Sequence, residues 1–508
     1  MKFSSVYRNI IANYFGAIVT TVIAFLLTPV YIKYLGVGSY GIIGFYISIQ
    51  ALFSFLDMGI GVAVNREMAR HFHNPTEKAY LRTLTHTLQI IYWGIGFFFA
   101  LFLWLVSPYF SKGWFGGTDS SLHNVNYIFI IFALTLFVRW PYGLYSSGLR
   151  GMQRQVLLNK FEIICNLSKS IGSWLVLKYV SPTLEAFLWY QFFITSLQTV
   201  GILILMWKQI YSSQHILKFD SNVVKKISKY AAGMGIGTIL ASIVTQVDKI
   251  IVSKMVTVAQ FGYYTIANNI AMLVFSISLP IYMAIFPHFT RHVHEDDTQN
   301  LAKDFHYYSK LLSTLLLPFS IMVIFNSKIV LQLWMGDEEI TTNSAGILQL
   351  LMAGTLCNAL MMPVHTLLLA YNRLKFMLYS QTIEIILMVP LMLFLIKKFG
   401  LMGGALGVFL LFFCYLIIQA PLIFKVTKST FLTIKWYFGD VLLFLIPVVL
   451  ITYLCNTYLF QYFTKTKFEI GIYLTINIVL SYASAIFINQ QLRVQIVNVL
   501  NTILKRNR

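Results

Sequence analysis

The sequence predicts an all-α polytopic membrane protein with about 14 transmembrane helices. Of the 508 residues, 58% are hydrophobic and only 11% are charged, whereas a soluble domain carries about 25% charged residues. The mean hydropathy is +0.72. Apolar runs of about 20 residues, the length that spans a bilayer, recur from one end of the chain to the other.

The apolar runs give fourteen predicted spans joined by short loops. If the amino terminus is cytoplasmic, most of the 38 lysines and arginines fall in loops on the cytoplasmic side, as the positive-inside rule requires. The sequence therefore predicts that both termini face the cytoplasm. The approximate spans are 11–33, 40–64, 86–107, 125–149, 159–180, 186–207, 229–253, 261–288, 308–330, 345–369, 377–396, 402–424, 439–460 and 468–489.

Composition and loop lengths exclude several classes of protein. The net charge of +20 does not indicate nucleic-acid binding, because the basic residues lie mostly in short loops between apolar runs. The four cysteines lie within apolar runs and lack CxxC spacing, which is typical of core residues. The longest predicted loops, 108–124 and 208–228, are too short for a soluble catalytic domain. We therefore expect no enzyme activity and no bound cofactor.

An internal repeat is visible when the chain is shifted by 221 residues, which places the first two spans over the seventh and eighth. Val37 then falls on Val258, and Tyr40-Gly41 falls on Phe261-Gly262. Six helices separate the copies, so both run in the same direction, as in parallel transporter repeats. Chance likeness between two hydrophobic hairpins is the alternative. The predicted domains are an N-terminal lobe at 1–207, a cytoplasmic linker at 208–228, a C-terminal lobe at 229–424, and two further helices with a basic tail at 425–508.

Two basic residues, Arg139 in the fourth span and Lys169 in the fifth, lie near mid-depth. A charge there costs roughly 2.5–3.5 kcal/mol and usually faces a cavity or a partner. An arginine and a lysine together suit a diphosphate group, so we expect a hydrated basic cavity between the first, second, fourth and fifth helices. The alternative is an internal salt bridge to Asp57 or Glu162. Lys169 shares one helix face with other polar residues, namely Asn159, Glu162, Asn166 and Ser173.

Two carboxylates in the C-terminal half are candidates for coupling transport to an ion. Glu384 lies in the eleventh span, one turn after Ser380 and Gln381, where it suits a proton- or sodium-responsive group or a hydrogen bond between helices. Asp248 lies beside Lys249 near the outer end of the seventh span. An interfacial ion pair is the simpler interpretation of that second site.

Two groups of scattered residues carry a family resemblance. The first is Thr28-Pro29-Val30-Tyr31-Ile32, Tyr34-Leu35-Gly36, Tyr40-Gly41, Phe55-Leu56-Asp57-Met58-Gly59 and Asn65-Arg66-Glu67. The second is Val247-Asp248-Lys249-Ile250-Ile251-Val252, Phe261-Gly262-Tyr263-Tyr264 and Ala267. This pattern resembles the bacterial polysaccharide transporter family, the Wzx-type flippases of the multidrug/oligosaccharidyl-lipid/polysaccharide exporter superfamily.

The resemblance implies two six-helix lobes in a V shape around a cationic cavity, with the last two helices appended. It also implies that an undecaprenyl-diphosphate-linked oligosaccharide crosses the bacterial inner membrane by alternating access, driven by a proton or sodium gradient. Arg66, Arg139 and Lys169 would receive the diphosphate. Asp57 and Glu162 would balance or gate these cations. Of these five residues, only Asp57 and Arg66 belong to the matched motif.

The resemblance also sets the expected partners and the alternatives. The expected partners are the lipid-linked substrate and membrane lipids, with the polysaccharide polymerase and chain-length machinery as candidate protein partners and no nucleic acid. A drug or metabolite cation exporter of the same superfamily is the nearest alternative. Such exporters usually have twelve helices and acidic cavities, whereas this chain has fourteen predicted spans and a basic N-terminal half. A membrane-embedded polysaccharide polymerase or glycosyltransferase is the more distant alternative.

Overall fold

A computed structural model describes residues 5–53, 59–114, 125–210, 217–463 and 466–494. Every regular element in these ranges is helical, which confirms the predicted all-α class. The chain divides into two compact units, Met1–Gly262 and Tyr263–Arg508. The predicted lobes, 1–207 and 229–424, are defined by membrane topology rather than by compactness, and their boundaries stay a prediction.

The first unit contains eight helices and the start of a ninth. A break at Gly36, where φ is +78°, divides the first helix, and it falls between the first two predicted spans. Glycine adopts this left-handed backbone without the steric penalty of a Cβ atom. The helices are α1 (Ser5–Phe53), α2 (Ile60–His71), α3 (Lys78–Gly113), α4 (Val125–Arg139), α5 (Tyr142–Gly151), α6 (Gln155–Tyr179), α7 (Leu184–Gln209), α8 (Ser221–Met255) and α9 (Val258–Ala271), with a 3-10 turn at Pro75–Glu77.

The second unit is interrupted more often, by prolines and by π-helical turns. Pro363 and Pro421 each lie at the start of a new helix, where the missing N–H is tolerated. The α-helices are α10 (Leu273–His294), α11 (Thr298–Phe325), α12 (Ser327–Met335), α13 (Glu338–Leu360), α14 (Met362–Ala370), α15 (Leu374–Phe399), α16 (Leu401–Cys414), α17 (Ala420–Val426), α18 (Thr433–Lys435), α19 (Leu443–Leu454) and α20 (Lys467–Ile488). The π-helices are Tyr415–Gln419, Trp436–Leu442 and Cys455–Leu459, and the 3-10 turns are Thr430–Leu432 and Phe460–Tyr462.

The protein is a multi-pass membrane protein, because ten helical stretches of the described residues are long and apolar enough to cross a bilayer. The count of fourteen spans stays a prediction. Three other long helices, α6, α8 and α15, have 25, 35 and 26 residues. These three carry Lys169, Asp248 and Glu384 respectively, whereas Arg139 lies within one of the ten apolar stretches, Asn126–Gly151.

The amino-terminal end of α8 is fastened to α2 and α3 within the first unit. Oε2 of the buried Glu67 accepts hydrogen bonds from Lys226 Nζ at 2.6 Å and from the Tyr80 hydroxyl at 2.7 Å. Burial opposes ionisation, but the hydrogen bonds from Lys226 and Tyr80 outweigh it and hold the pKa of Glu67 below its usual value. The Asp220 N–H also donates to Thr87 Oγ1 at 3.1 Å. The end of the predicted linker is therefore attached to the first unit.

Residues that the 221-residue shift pairs also meet in space, where α1 crosses the start of α9. A Cβ atom at Gly41 would lie 2.5 Å from the carbonyl oxygen of Val258, and one at Gly262 would overlap the carbonyl oxygen of Val37. Gly41 thus faces Val258, four residues before Gly262, and Gly262 faces Val37, four residues before Gly41. The reciprocal contact supports a true repeat over chance likeness, because only glycine allows backbones to approach so closely.

Buried polar side chains fasten α20 to the neighbouring helices of the second unit. The Tyr473 hydroxyl contacts the side-chain oxygens of Asn326 and Asn456, and it accepts a hydrogen bond from Asn477 Nδ2 at 3.2 Å. Asn456 belongs to the π-helix Cys455–Leu459. Hydrocarbon offers polar groups no other partner, so such groups act as contacts between helices. The two C-terminal helices are therefore integral parts of the second unit.

Candidate functional site

Arg139 lies at the carboxyl end of α4, at a break in the predicted span 125–149. Pro141 follows two residues later and precedes α5 as its N-terminal cap residue. Because proline has no N–H and its ring clashes with the preceding turn, it interrupts the helix here. The carboxyl end of a helix carries partial negative charge, which favours a cation. The break therefore places Arg139 where its charge is stabilised.

Arg139 and Lys169 converge on one neutral side chain, Gln198 of α7. The Oε1 atom of Gln198 accepts a hydrogen bond from Arg139 Nη1 at 3.2 Å and another from Lys169 Nζ at 2.8 Å. Gln198 is 1% exposed, while both cations are half-buried. Helices α4, α6 and α7 thus bring two positive charges to a single amide oxygen. We call these three residues the Gln198 cluster.

The two cations of the Gln198 cluster are not neutralised by the described part of the chain. No described carboxylate lies within 4.0 Å of Arg139 or Lys169. An amide oxygen supplies a dipole but no charge, so nothing among the described residues offsets the positive charge of these two side chains. A site with two such cations can bind an anion, and arginine and lysine together provide both planar and point-like hydrogen-bond donors for phosphate oxygens.

Glu162 lies on α6 but contacts other residues than these two cations. Its Oε1 accepts a hydrogen bond from the Tyr142 hydroxyl and lies 4.0 Å from Arg150 Nη2. The ring of Tyr142 in turn lies under the Arg139 guanidinium, 4.3 Å from ring centroid to Cζ. Tyr142 therefore connects Glu162 to the Gln198 cluster by a cation–π contact and a hydrogen bond.

Two tyrosines hold the turn of α6 that carries Lys169. The Tyr31 hydroxyl donates to the carbonyl of Ser170 at 2.7 Å, and the Tyr190 hydroxyl donates to the carbonyl of Ser168 at 2.9 Å. These carbonyls flank Lys169 in sequence, and the tyrosines come from α1 and α7. The backbone around Lys169 is therefore fixed from two sides, which orders the cation before any ligand arrives.

The remaining predicted residues of the N-terminal half lie elsewhere. Asp57 falls outside the residues that the structure describes. Arg66 is exposed on α2, next to Asn65, whose carbonyl lies against Gly151 at the far end of α5. That helix has 10 residues, so its ends are about 15 Å apart. The contact at Gly151 places Arg66 near the opposite end of α5 from Arg139.

Glu384 of α15 is the centre of a second polar cluster, in the other unit. Its Oε2 accepts a hydrogen bond from the Tyr415 hydroxyl at 2.7 Å, and its Oε1 accepts one from Gln419 Nε2 at 2.8 Å. Gln419 Oε1 lies 2.9 Å from His365 Nε2. Tyr415 and Gln419 are the ends of a π-helix, and they lie four residues apart, about one turn. The π-turn thus directs both donors at one carboxylate.

Asp248 and Lys249 contact each other on α8. Lys249 Nζ lies 3.2 Å from Asp248 Oδ1 and donates to the carbonyl of Thr245 at 2.9 Å. Asp248 is 4% exposed. The structure therefore forms the ion pair that the sequence suggested as the simpler interpretation of this site.

Sequence reasoning missed Gln198 and the two partners of Glu384, Tyr415 and Gln419. Gln198 lies seven residues after Gln191 in a helix that is mostly apolar, and Gln191 also faces α6, where it donates to Ser173 at 2.8 Å. Two polar residues two turns apart share a helix face, and that spacing could have identified both. The partners of Glu384 lie 31 and 35 residues away in one π-helix, so spacing could not reveal them.

Comparisons with known proteins identify the family of the chain. Residues 6–293 match the family described as polysaccharide biosynthesis protein, and residues 233–394 match the family described as MatE. A protein of Shigella flexneri named "Putative O-antigen transporter" is 23% identical over 417 residues, which cover 79% of this chain and 94% of that protein. These matches confirm the family resemblance predicted from residues 11–72.

Solved structures share the fold. "Lipid II flippase MurJ, inward closed conformation" aligns with a TM-score of 0.70 at 17% identity and covers 95% of this chain and 98% of that one. A multidrug resistance MATE family transporter of the MOP superfamily, in an inward-facing conformation, aligns with a TM-score of 0.61 at 13% identity and covers 82% and 95%. The similar proteins are transporters and flippases rather than enzymes.

Proposed function

The chain belongs to the polysaccharide biosynthesis protein family, and on that premise we propose that it is a flippase for an undecaprenyl-diphosphate-linked oligosaccharide. The substrate is the repeat unit of an O-antigen, capsule or exopolysaccharide. It moves from the inner to the outer leaflet of the bacterial cytoplasmic membrane by alternating access. Both termini lie in the cytoplasm, and the polymerase and chain-length machinery that use the translocated unit are candidate partners.

The observation that carries this proposal is the Gln198 cluster. Placing two cations in a membrane protein is costly, and the cost is usually offset by a carboxylate or by a bound anion. Here the shared partner is a neutral amide. A diphosphate brings the missing negative charge and several acceptor oxygens. The membrane-embedded position of the cluster suits a head group that must cross the bilayer.

The other residues have supporting roles in the proposal. Glu162 competes for the Gln198 cluster through Tyr142 and gates it, and Asp57 has the same proposed role. Arg66, near the opposite end of α5, is a first contact for the diphosphate as it enters. We also propose that a hydrated cavity joins these positions.

Glu384 is the proposed coupling residue. A half-buried carboxylate whose described partners are neutral donors, Tyr415 and Gln419, can take up a proton without breaking an ion pair. A proton gradient, or a sodium gradient acting on the same carboxylate, would then bias the second unit between two states. Asp248 is the lesser candidate, because Lys249 already compensates its charge.

The proposal is tested by Arg139→Ala, Lys169→Ala and the double variant in cells that depend on this protein for surface polysaccharide. We expect each single variant to lose most polymer while its amount in the membrane is unchanged. Lys178→Ala is the matched control, because this lysine is exposed on the same helix α6, and it should keep normal polymer. Deletion of the gene should leave lipid-linked oligosaccharide on the inner leaflet. Normal polymer in the double variant would exclude the diphosphate role.

Export of a cationic drug or metabolite is the second candidate function, favoured by the MatE match over residues 233–394. It predicts that Glu384→Gln abolishes resistance to a cationic substrate while surface polysaccharide is unaffected. The flippase proposal predicts loss of polysaccharide in the same variant. The two functions are therefore separated by one substitution and two readouts.

A further inference from the structure

The two basic side chains of the Gln198 cluster lie close together, although both are cations in water. Arg139 Nη1 and Lys169 Nζ lie 3.2 Å and 2.8 Å from the same atom, Gln198 Oε1. The two nitrogens are therefore within about 6 Å of each other, a separation at which like charges repel inside a protein. Gln198 is buried and both basic side chains are half-buried, so water screens this repulsion only in part.

The titratable groups of α5 and α6 near Lys169 do not offset this repulsion. Cys165, one turn before Lys169, carries a thiol, which is mostly neutral at pH 7. Glu162 lies two turns before Lys169, about 10 Å along the helix axis. Its carboxylate accepts a hydrogen bond from the Tyr142 hydroxyl and lies 4.0 Å from Arg150 Nη2. Glu162 is therefore engaged away from Lys169.

The helices packed around α6 bring one further charge to Lys169, the guanidinium of Arg139 from α4. The Tyr31 hydroxyl of α1 and the Tyr190 hydroxyl of α7 donate to backbone carbonyls on either side of Lys169 rather than to its amine. Gln198, also from α7, is neutral. Among the described residues, Lys169 thus has a positive group beside it and no carboxylate within 4.0 Å.

Lysine and arginine respond differently to such a position. A guanidinium keeps its proton in proteins, whereas a lysine ammonium can give up its proton when it is buried beside another cation. A neutral amine still has N–H groups to donate to Gln198 Oε1, so the 2.8 Å contact would remain. Loss of one proton from Lys169 therefore removes the repulsion without breaking the cluster.

We propose that Lys169 is a neutral amine while the Gln198 cluster is empty, and that it takes up one proton from solvent when the substrate diphosphate binds. This inference rests on the proposed flippase function and adds a proton to its binding step. The amine lone pair accepts the proton, and the resulting ammonium donates to a phosphate oxygen. Each phosphate is then matched by one cation, Arg139 or Lys169. When the substrate leaves, the ammonium loses its anionic partner and returns the proton to solvent.

The test is isothermal titration calorimetry of the full-length protein in detergent with farnesyl-diphosphoryl-N-acetylglucosamine, a short-chain analogue of the proposed substrate. Its diphosphate is a diester, so it lacks the ionisation at about pH 6 of a phosphate monoester. Titrations at one pH in two buffers with different ionisation enthalpies give the number of protons taken up per ligand bound. We expect uptake of about one proton at alkaline pH, where affinity should fall by up to about tenfold per pH unit.

Two variants of Lys169 remove the proposed proton site. Lys169→Arg places a permanent cation there, and Lys169→Met places no charge. Both should take up almost no proton, and their affinity for the analogue should not change with pH. Lys169→Arg should bind tightly at every pH, and Lys169→Met weakly. Lys178→Arg changes an exposed lysine of the same helix α6, and this matched control should take up a proton as the unaltered protein does. Thermal melting in detergent verifies that each variant is folded.

The outcomes separate this inference from the flippase proposal. Proton uptake that persists in Lys169→Arg or Lys169→Met would overturn the inference and leave the flippase proposal in place. Binding of the analogue by the unaltered protein without proton uptake, or equal loss of uptake in Lys178→Arg, would do the same. Absence of binding by the unaltered protein would instead defeat the flippase proposal, and the inference with it.

Discussion

Replacing Gln198 by glutamate is the sharpest test of the Gln198 cluster, because the change is nearly isosteric. In the unaltered protein, Arg139 Nη1 and Lys169 Nζ lie 3.2 Å and 2.8 Å from Gln198 Oε1. The new carboxylate keeps an oxygen at the same position, within hydrogen-bond distance of both. Gln198→Glu therefore preserves the packing and adds one negative charge. If the cluster binds a diphosphate, this variant should fold well and transport poorly.

The size of the effect follows from Coulomb's law. Two unit charges 4 Å apart interact by about 4 kcal/mol at an effective dielectric constant of 20. A phosphate charge that contacts both cations has two such interactions, and the new carboxylate cancels about one of them. Desolvation and salt reduce this gross value. Because about 1.4 kcal/mol changes a rate tenfold, we expect at least a tenfold loss of transport.

The assay is surface polymer yield together with the amount of protein in the membrane. Gln191→Glu is the matched control, because Gln191 lies two turns away on α7 and contacts Ser173 rather than a cation. The control should keep normal yield. Normal yield in Gln198→Glu at normal protein amount would refute the idea that uncompensated charge at this cluster serves the substrate.

Three further predictions concern stability, each measured by thermal melting in detergent. Glu67→Gln should destabilise the protein by roughly 1–2 kcal/mol at neutral pH, because hydrogen bonds to a charged group are lost. Folding lowers the pKa of Glu67, so its stabilising contribution exists above the unfolded pKa and is lost as pH falls through the folded pKa. The difference between variant and unaltered protein should therefore disappear in acid, and a constant difference would contradict the prediction. Gly41→Ala should destabilise the protein by about 1–3 kcal/mol, because the added methyl group overpacks against a backbone carbonyl. Gly38→Ala is the control and should be tolerated, because its new methyl group would have its nearest neighbour 3.9 Å away. Equal melting temperatures for the two variants would argue against the close crossing of α1 and α9. Asn477→Leu should lower stability by about 1–2 kcal/mol, because it removes polar contacts of the network that holds α20. Thr475→Val, on the exposed face of the same helix, should change stability little. A larger loss in Thr475→Val than in Asn477→Leu would contradict the polar network.

The sequence was sufficient for the fold class and for the cations of the candidate site. Composition alone requires a membrane, since so few residues are charged. The depth of Arg139 within its apolar run marked it as unusual, because charges in hydrocarbon are costly wherever they occur. Helical spacing placed Lys169 and Glu162 on one helix, which the structure describes as α6.

The partners of these residues could not be predicted, because partnership depends on packing between distant helices. Gln198 is 29 residues from Lys169 and 59 from Arg139, so its spacing from Gln191 could have marked a polar helix face but not the cations that it contacts. The π-turn at Tyr415–Gln419 has the same sequence appearance as an ordinary helix. The sequence did indicate two possible states for the cations, paired or free, and only coordinates can distinguish them.

The reciprocal contact of Gly41 and Gly262 has a consequence for the origin of the chain. Each repeat offers the other the same patch, a glycine and the carbonyl four residues before it. In oligomers, a self-complementary patch of this kind is the mark of an isologous interface between identical subunits. A half-length ancestor with one such helix pair would have met a second copy of itself in the same way. Within its first compact unit, the present protein thus makes inside one chain the kind of contact that an isologous dimer makes between two.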